Sequence, residues 1–287
     1  MIFRRFAVPL AALAVAFVPW AASAGGRLLA TGGVTEVEGA GGGGIVPWAL
    51  VAGTGTRDEI GASAFATHLG LSDFRLQSAG LAVGLYDRVE LSYARQTFSL
   101  GSTVPGDVIR LDSYGAKVKL FGDAVYDQDR WWPQVAAGLQ VKNNRDFAFV
   151  PKSVGARHGT GTDFYLAATK LYLAGLFGRN VLVDATARAS KANQLGLLGF
   201  GGDLGDRYRL RFEGSAAVFV NDFVAVGGEY RSKPNNLGAF REQSFSDVFV
   251  AWVPTKSLAA TLAWAHLGRI ADKPDQSGVY LSLQAGF

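Results

Sequence analysis

The fold is decided by the last stretch of the chain, Gly278-Val279-Tyr280-Leu281-Ser282-Leu283-Gln284-Ala285-Gly286-Phe287. Its odd-numbered positions are apolar and its even-numbered positions are mostly polar or small, which is the period of two residues expected of a β-strand. An apolar final strand that ends on an aromatic residue is typical of outer-membrane β-barrels. Such a strand must pair with another one, because unpaired backbone groups inside lipid cost several kcal/mol each. The stretch therefore predicts a closed barrel, and a soluble β-sandwich is the alternative that shares the alternation.

The same stretch predicts how the barrel is assembled. Its terminal aromatic residue resembles the signal that the barrel-insertion machinery of Gram-negative bacteria reads. We therefore expect this machinery and outer-membrane lipid to be the partners of the chain. The residues predicted to close the barrel and to carry the assembly signal are Phe287, Leu283, Leu281 and Tyr280.

Residues 1–24 have the pattern of a secretory signal peptide. Arg4 and Arg5 precede an apolar run, and Ala22-Ser23-Ala24 provides the small residues that a signal peptidase accepts before Gly25. The apolar run is too short for a membrane helix, which needs about 20 residues. The predicted organisation is a signal peptide at 1–24 and an outer-membrane barrel at 25–287, reached through the general secretory pathway.

The composition fits a barrel and excludes several other classes of protein. The chain is 49% hydrophobic with a mean hydropathy of +0.16, and yet after residue 24 it has no long apolar segment. That combination excludes a helical membrane protein and fits alternating strands. Cysteine is absent, so disulfides are excluded, and the net charge of +4 is too small to imply nucleic acid.

Alternation repeats through the middle of the chain, where one hairpin follows another with no helical period. In residues 208–220, Tyr208, Leu210 and Phe212 share a face opposite Arg209 and Arg211. Strands of about 10 residues with their turns give an all-β, antiparallel, up-and-down transmembrane barrel of about 12 to 14 strands, with 14 favoured.

The strand count depends on the N-terminal part. Residues 25–44 are glycine-rich, and they provide either a first strand within Arg27–Glu38, which gives 14 strands, or a segment lying inside a barrel of 12. Ile45–Gly53 and Ile60–His68 are predicted strands joined by a polar turn. A phosphate-binding loop is not supported by the glycines, because no Lys-Ser/Thr pair and no helix pattern follow them.

Aromatic residues and connection lengths predict how the barrel sits in the membrane. Connections around residues 86–88, 178–180, 220–222 and 253–256 are short and should be periplasmic, whereas those at 99–107, 143–161, 191–207, 232–243 and 268–277 are long and should face outside. The connection at 122–130 is longer than its periplasmic neighbours. The aromatic residues predicted to form the interfacial girdles are Trp48, Trp131, Trp132, Trp252, Trp264, Tyr93, Tyr208 and Phe287.

Four stretches of the chain resemble an uncharacterised proteobacterial family, the domain of unknown function 3034. They are Val46-Pro47-Trp48-Ala49-Leu50, the run Gly122–Trp131, the run Thr162–Lys170, and the last ten residues. The resemblance extends over nearly the whole chain after the signal peptide. It implies an outer-membrane barrel and brings no activity, substrate or site residues.

No pattern for catalysis or for metal binding is found. The three histidines, His68, His158 and His266, sit in no recognisable motif, so an outer-membrane lipid-modifying enzyme is a minor alternative. Asp123, Asp127 and Asp129 have half the spacing of a calcium loop but lack its bidentate Glu, which favours a solvated turn. We predict no enzyme activity, no cofactor and no metal.

The predicted functional residues are the charged groups on the faces opposite lipid. If 12 to 14 strands close, water can enter the lumen and keep these groups charged. Their basic excess predicts a porin-like channel for small anionic solutes, and the alternative is a non-conducting structural or assembly barrel for envelope or exopolysaccharide export, in which the same charges pair. The predicted pore-lining residues are Lys117, Lys119, Lys142, Lys170, Asp184, Arg188, Arg209, Arg211, Glu213, Glu229, Arg231 and Glu90.

Overall fold

The chain folds into a closed antiparallel barrel of twelve strands. The computed structural model describes residues 29–30 and 32–287, so the predicted signal peptide lies outside the described residues. Two further strands of two residues each, β1 (Val34–Thr35) and β2 (Gly41–Gly42), pair only with each other. The barrel strands are β3 (Ile60–Leu71), β4 (Arg75–Leu85), β5 (Val89–Ser99), β6 (Val108–Phe121), β7 (Gln134–Asn144), β8 (Thr160–Leu176), β9 (Arg179–Ser190), β10 (Arg209–Asn221), β11 (Val224–Arg231), β12 (Phe245–Thr255), β13 (Leu258–His266) and β14 (Ser277–Gly286).

The last strand closes the barrel, as its sequence predicts. β14 pairs with β13 on one side and with β3 on the other, in register from Gly278 opposite Leu71 to Gly286 opposite Ser63. Phe287 continues the ladder by exchanging two backbone hydrogen bonds with Ala62, at 2.8 and 2.9 Å. Every barrel strand therefore has two neighbours, and no edge is left unpaired.

The outer surface of the barrel is apolar, which is the reverse of a soluble protein. Leu210, Phe212 and Val248 are each more than 60% exposed, and the strands alternate these side chains with buried polar ones. A contiguous exposed band of large apolar side chains is stable only against another apolar phase. The fold is thus a transmembrane β-barrel, and a soluble sandwich is excluded.

The connections lie at the two ends of the barrel, and apart from 72–74 and 122–133 their lengths alternate as predicted. One end, called the turn end here, carries connections 86–88, 122–133, 177–178, 222–223 and 256–257, and the other, the loop end, carries 72–74, 100–107, 145–159, 191–208, 232–244 and 267–276. The first turn shows why such turns are short: Tyr86 and Asp87 both have positive φ, at 54° and 48°. Two central residues of this kind match the twist of the flanking strands.

The favoured count of 14 strands is wrong, and the structure has the alternative arrangement, in which the segment lies inside a barrel of 12. Ile45–Gly53 is not a strand of the barrel, and within residues 34–52 only the short β1 and β2 pair as strands. The apolar residues of this stretch, such as Val46 and Leu50, are buried inside the barrel instead of facing lipid. Alternation alone could not distinguish these two environments.

The aromatic residues lie mainly where the girdle prediction placed them. Trp252, toward the turn end of β12, and Trp264, toward the loop end of β13, are 50% and 56% exposed on the outer surface. Two residues correct the prediction. Trp48 is buried, and its indole Nε1–H donates to Ser215 Oγ at 2.9 Å inside the barrel. Tyr93 lies in the middle of β5 and not near its end.

The long connections fold over the loop end. They contain the short helix α1 (Val150–Ser153) and a 3₁₀ turn, η1 (Gln194–Gly196), both of which contribute buried residues. Among the described residues, no helix is long and apolar enough to cross a membrane.

Candidate functional site: a lumen filled by the N-terminal segment

The lumen is occupied by residues 34–52, which we call the plug. The plug enters at the turn end, where Thr35 Oγ1 donates to Gln284 Oε1 at 2.8 Å. It reaches toward the loop end at Val37, whose carbonyl oxygen accepts hydrogen bonds from Ser78 and Gln96. It returns to the turn end by residue 53, where Gly53 packs against the first residues of β3.

Two carboxylates near the farthest point of the plug form the centre of a buried charge cluster. Glu38 pairs with Lys142 and, at 2.7 Å, with Arg231. Glu36 accepts a hydrogen bond from Gln140 and lies 3.8 Å from Arg231. All of these side chains are buried, so each charge depends on its partners for stabilisation.

Wall residues complete the cluster. Asp163 lies 2.6 Å from Lys142, and Glu213 accepts from Arg188 at 2.5 Å and lies 3.2 Å from Arg231. Three basic side chains therefore face four carboxylates across the interface between plug and wall. The plug supplies two of these carboxylates.

A second set of contacts holds the main chain of the plug. Lys117 Nζ donates to the carbonyl oxygens of Gly41, Trp48 and Leu50 at 2.8, 3.1 and 2.6 Å, and it lies 3.0 Å from Glu90. Glu90 accepts in turn from the N–H groups of Gly41 and Ala52. One ion pair on the wall thus holds the backbone of four plug residues.

Further wall side chains satisfy the remaining parts of the plug. The carboxylate of Glu229 accepts from the N–H groups of Gly44 and Ile45 at 2.7 and 2.8 Å. Thr169 accepts from Ala49 N–H at 2.7 Å, and Thr186 donates to Pro47 O at 2.9 Å. Because buried backbone groups must be paired, these contacts let an irregular segment lie at membrane depth.

Glycine is required where the plug folds against itself. A Cβ on Gly42 would lie 2.4 Å from Val46 O and 2.7 Å from Trp48 N, and a Cβ on Gly43 would lie 1.7 Å from Glu229 Oε1. The glycine-rich composition of the plug therefore reflects close approach of backbone and carboxylate.

Most of the predicted pore-lining residues do face the interior and are buried. They divide into those that contact the plug or its charge cluster and those that do not. The first group consists of Glu90, Lys117, Lys142, Arg188, Glu213, Glu229 and Arg231. Asp184, in addition, accepts a hydrogen bond from Thr169 through Oδ1, and its Oδ2 lies 3.1 Å from Thr186 Oγ1.

Two predicted pore-lining lysines lie at the turn end, away from the plug cluster. Lys119 pairs with Asp87 at 2.6 Å, and Lys170 donates to the carbonyl oxygens of Asp127 and Arg130. These lysines fix the connections of the turn end.

Arg209 and Arg211 are placed differently from the rest of the predicted set. They lie at the loop end of β10, Arg209 exposed and Arg211 partly buried, and Glu213 pairs with Arg188 and Arg231 instead of with them. Four buried acidic side chains were not among the predicted residues: Glu36, Glu38, Asp163 and Asp247. The alternation Thr35-Glu36-Val37-Glu38 was the available signal for the first two.

Two of the three histidines and the aspartate-rich turn have local partners. His158 Nε2 lies 2.8 Å from Asp206, and His266 Nδ1 lies 2.7 Å from Ser277 Oγ. Asp123 accepts from the N–H groups of Val125 and Tyr126, which is the geometry of a capped turn. Within residues 29–30 and 32–287, no group of three or more His, Cys, Asp or Glu side chains could hold a metal ion.

Comparison with known proteins places the chain in a family. The model of a protein family of unknown function, DUF3034, matches residues 31–284. The chain belongs to the DUF3034 family. The resemblance seen in the sequence is therefore confirmed, and family membership assigns no activity. No curated protein matches the chain.

Solved structures similar to this DUF3034 protein are outer-membrane barrels. The NanC porin is 11% identical, with 78% of this chain and 98% of that chain covered, and a TM-score of 0.49. Omp33 of Acinetobacter baumannii is 9% identical, with 81% of this chain and 100% of that chain covered, and a TM-score of 0.46. The COG4313 outer membrane channel from Pseudomonas putida F1 is 9% identical, with 84% of this chain and 97% of that chain covered, and a TM-score of 0.42.

Proposed function

We propose that this DUF3034 protein is a porin-like channel of the outer membrane that its own plug closes at rest. The chain reaches the membrane through the general secretory pathway, and its loop end faces outside. Solutes pass when the plug withdraws toward the periplasm. The observation that carries this proposal is the polar character of the interface between plug and wall.

A polar interface supports a plug that can leave. Permanent filling of a lumen would be stabilised best by apolar packing, because replacing a buried ion pair by hydrophobic residues is often neutral or stabilising. Here the wall meets the plug with Lys117, Lys142, Arg188, Arg231 and Glu90. Once the plug has left, water solvates these side chains, and the lumen becomes a wettable passage.

The path of the plug also supports withdrawal. Both of its ends lie at the turn end: a Cβ on Gly32 would meet Gly53 O at 3.5 Å, and Gly53 packs against Gly61 at the start of β3. The segment is thus a loop inserted from one side, and it can retract without any residue crossing to the loop end.

For the open channel we propose a preference for small anions. At the level of Glu36 and Glu38 the wall carries Lys142, Arg188 and Arg231 against Asp163 and Glu213, which leaves one positive charge in excess when the plug is absent. A passage lined with an excess of one sign concentrates the opposite ion. The proposed preference rests on this level of the lumen alone, because the acidic Asp184, Glu229 and Asp247, which also face the lumen, outnumber the single excess positive charge.

The test is a lock between plug and wall. Thr35 Oγ1 and Ser63 Oγ lie 3.5 Å apart, and the chain has no native cysteine, so the variant Thr35→Cys/Ser63→Cys offers one disulfide that joins the plug to β3. Single-channel currents are recorded in planar bilayers for the wild type, for the double variant before and after reduction, and for a variant that lacks residues 32–52. The single variant Thr35→Cys is the control.

We expect brief openings of the wild type, none of the oxidised double variant, recovery on reduction, and sustained current through the variant without the plug. Folding is verified by the shift in gel mobility between unheated and heated samples. If the variant without the plug folds and carries no current, the channel is overturned and a structural barrel is the better assignment. If the variant without the plug folds and conducts only as briefly as the wild type does, the plug is not the gate.

A further inference from the structure

The loop end contains a cavity of about 250 Å³ that the plug does not fill. All six connections of the loop end, or the strand ends beside them, contribute to its wall. The lining side chains from β4, β5 and the connections at 72–74 and 100–107 are Phe74, Leu76, Phe98, Leu100, Thr103 and Val104. Opposite them lie Leu195, Leu197, Leu198, Phe240, Leu267 and Ile270.

The wall of this cavity is apolar. Among the described residues that line it none is charged, and only Thr103, Ser153 and Gln194 are polar. The side chain of Gln194 is already engaged, since it accepts from Lys233 Nζ at 2.9 Å and donates to the carbonyl oxygen of Arg269 at 3.2 Å. A water molecule needs two to four polar partners, so the site is unsuited to hold ordered water.

The charges nearest to this wall are paired with each other. Lys233 Nζ lies 3.1 Å from Glu242 and 3.7 Å from the centre of the Phe245 ring, behind the cavity surface. The described residues that line the cavity thus offer no charge to a ligand. This points to an uncharged molecule.

The backbone around the cavity is strained. Gln194, Leu195 and Ala271 all line it, and their φ angles are 46°, 64° and 53°. Left-handed φ is costly for residues other than glycine, and such residues gather at ligand sites, where the surrounding structure holds them in place. The loops thus keep open, at the cost of this strained backbone, a space into which they could collapse.

We propose that this cavity binds an uncharged, apolar small molecule, such as an aromatic or aliphatic hydrocarbon. An apolar cavity of about 150 Å³ lined by Leu, Ile and Phe already admits benzene, and the space here is larger. The stacked rings of Phe74 and Phe98, with centroids 5.2 Å apart, provide an aromatic surface on one side.

The site lies directly above the plug. Leu76 and Phe98 are two residues beyond Ser78 and Gln96 on β4 and β5, and these two polar side chains hold the carbonyl oxygen of Val37. A ligand entering from the loop end would therefore rest on the farthest point of the plug. Ligand binding in this cavity does not require the lumen to open. The test of binding is therefore independent of the proposed channel activity.

The probe is 1-fluoronaphthalene, which is uncharged and is observed by fluorine NMR with the full barrel in lipid nanodiscs, so that no detergent competes. The variant Val104→Phe/Val154→Phe fills the cavity from two sides. The control, Val248→Phe, makes the same change on the outer surface, where Val248 is 63% exposed. We expect a bound resonance in the wild type and the control, displaced by naphthalene or decane and not by glucose, and at least tenfold weaker binding by the filled variant.

Two results would overturn the site: a wild-type spectrum that contains only the lipid-partitioned probe, or equal binding by the wild type and the filled variant. If the filled variant does not fold, wild-type crystals under xenon pressure decide the question. Xenon density beside Leu195 and Phe98 supports the cavity as an apolar site, and its absence refutes it.

Discussion

Glu38 of the plug and Arg231 of β11 form a buried ion pair, in which Oε2 lies 2.7 Å from Nη2. The two residues are almost two hundred positions apart in the chain, and their contact joins the irregular N-terminal segment to the wall of the barrel. The same carboxylate pairs with Lys142 on β7. Glu38 therefore links two strands of the wall that are not neighbours, β7 and β11, through the lumen.

Glu38→Gln should loosen the plug. Removing this carboxylate leaves Lys142 and Arg231 with fewer counter-charges in a dry environment, and breaking a buried pair from one side costs roughly 3–5 kcal/mol. We expect a clear rise in the open probability of single channels and faster proteolysis within residues 34–52. Glu36→Gln is the matched control with a smaller effect, because Glu36 lies 3.8 Å from Arg231. Equal open probabilities for Glu38→Gln and the wild type would contradict this role.

Phe287→Asp should impair assembly far more than Gln284→Ala. Phe287 is 46% exposed on the outer surface and its backbone completes the pairing with Ala62, so a charge there meets lipid at the end of the closing strand. Gln284 points inward and only accepts from Thr35. The measurement is the fraction of folded protein in outer-membrane preparations, seen as the heat-dependent change in gel mobility. A similar loss of the folded band in both variants would refute the difference between the two faces.

Acid should release the loop that contains Asp206. Hydrogen bonds from Lys191, at 2.9 Å, and from His158, at 2.8 Å, lower the pKa of Asp206 from its ordinary value of 3.8. Because the pKa of Asp206 is lower in the folded protein, its carboxylate stabilises the loop fully above about pH 3.8. This stabilisation is lost as the pH falls through the pKa of Asp206 in the folded protein. Because these groups are partly exposed, we expect the interactions of Asp206 to contribute no more than about 1 kcal/mol to the stability of the loop.

Hydrogen exchange of residues 191–208 would measure this release. Exchange should be slow and constant between pH 5 and pH 4, after correction for its intrinsic pH dependence, and should accelerate below pH 3.8. In Asp206→Asn the loop should already exchange fast at pH 5, with no further change on acidification. A wild-type loop that keeps its protection at pH 2.5 would show that other contacts hold it.

The sequence predicts the parts of the fold that lipid dictates. Val279, Leu281 and Leu283 face outward because only apolar side chains tolerate the bilayer, and this constraint repeats every second residue. Inside the barrel no such rule applies, since water, charges and a folded segment can all occupy the lumen. Val46 and Leu50 look like lipid-facing strand residues and are instead buried in the plug.

The sequence predicts which charged residues of the strands face the lumen, but it does not predict which residues of the plug pair with them. The inward charges of Lys117, Lys142, Arg188 and Arg231 follow from strand alternation. Their partners do not, because Glu38 meets Lys142 across more than a hundred residues with no periodic pattern to set the register. The pairing depends on tertiary geometry, which also removes most of the basic excess that the wall sequence suggests.

Lys117→Met should release the plug backbone while the barrel still forms. The ammonium group donates to the carbonyl oxygens of Gly41, Trp48 and Leu50, and its loss would leave these oxygens and the carboxylate of Glu90 without their shared donor. Buried polar groups that lose their partner cost about 1–3 kcal/mol each, so the inserted position of the plug should become unfavourable. The wall strands keep their ladder of backbone hydrogen bonds, and the heat-dependent gel shift should be retained.

The matched control is Lys119→Met on the same strand and the same face. Lys119 pairs with Asp87 at the turn end, 2.6 Å away, so its loss should loosen a turn and leave the plug in place. We expect long openings in bilayer recordings for Lys117→Met and wild-type closure for Lys119→Met. Lys117→Arg should give an intermediate result, because a guanidinium keeps the charge but cannot direct three donors from one nitrogen. If both methionine variants open to the same extent, the gate does not depend on the contacts between Lys117 and the plug.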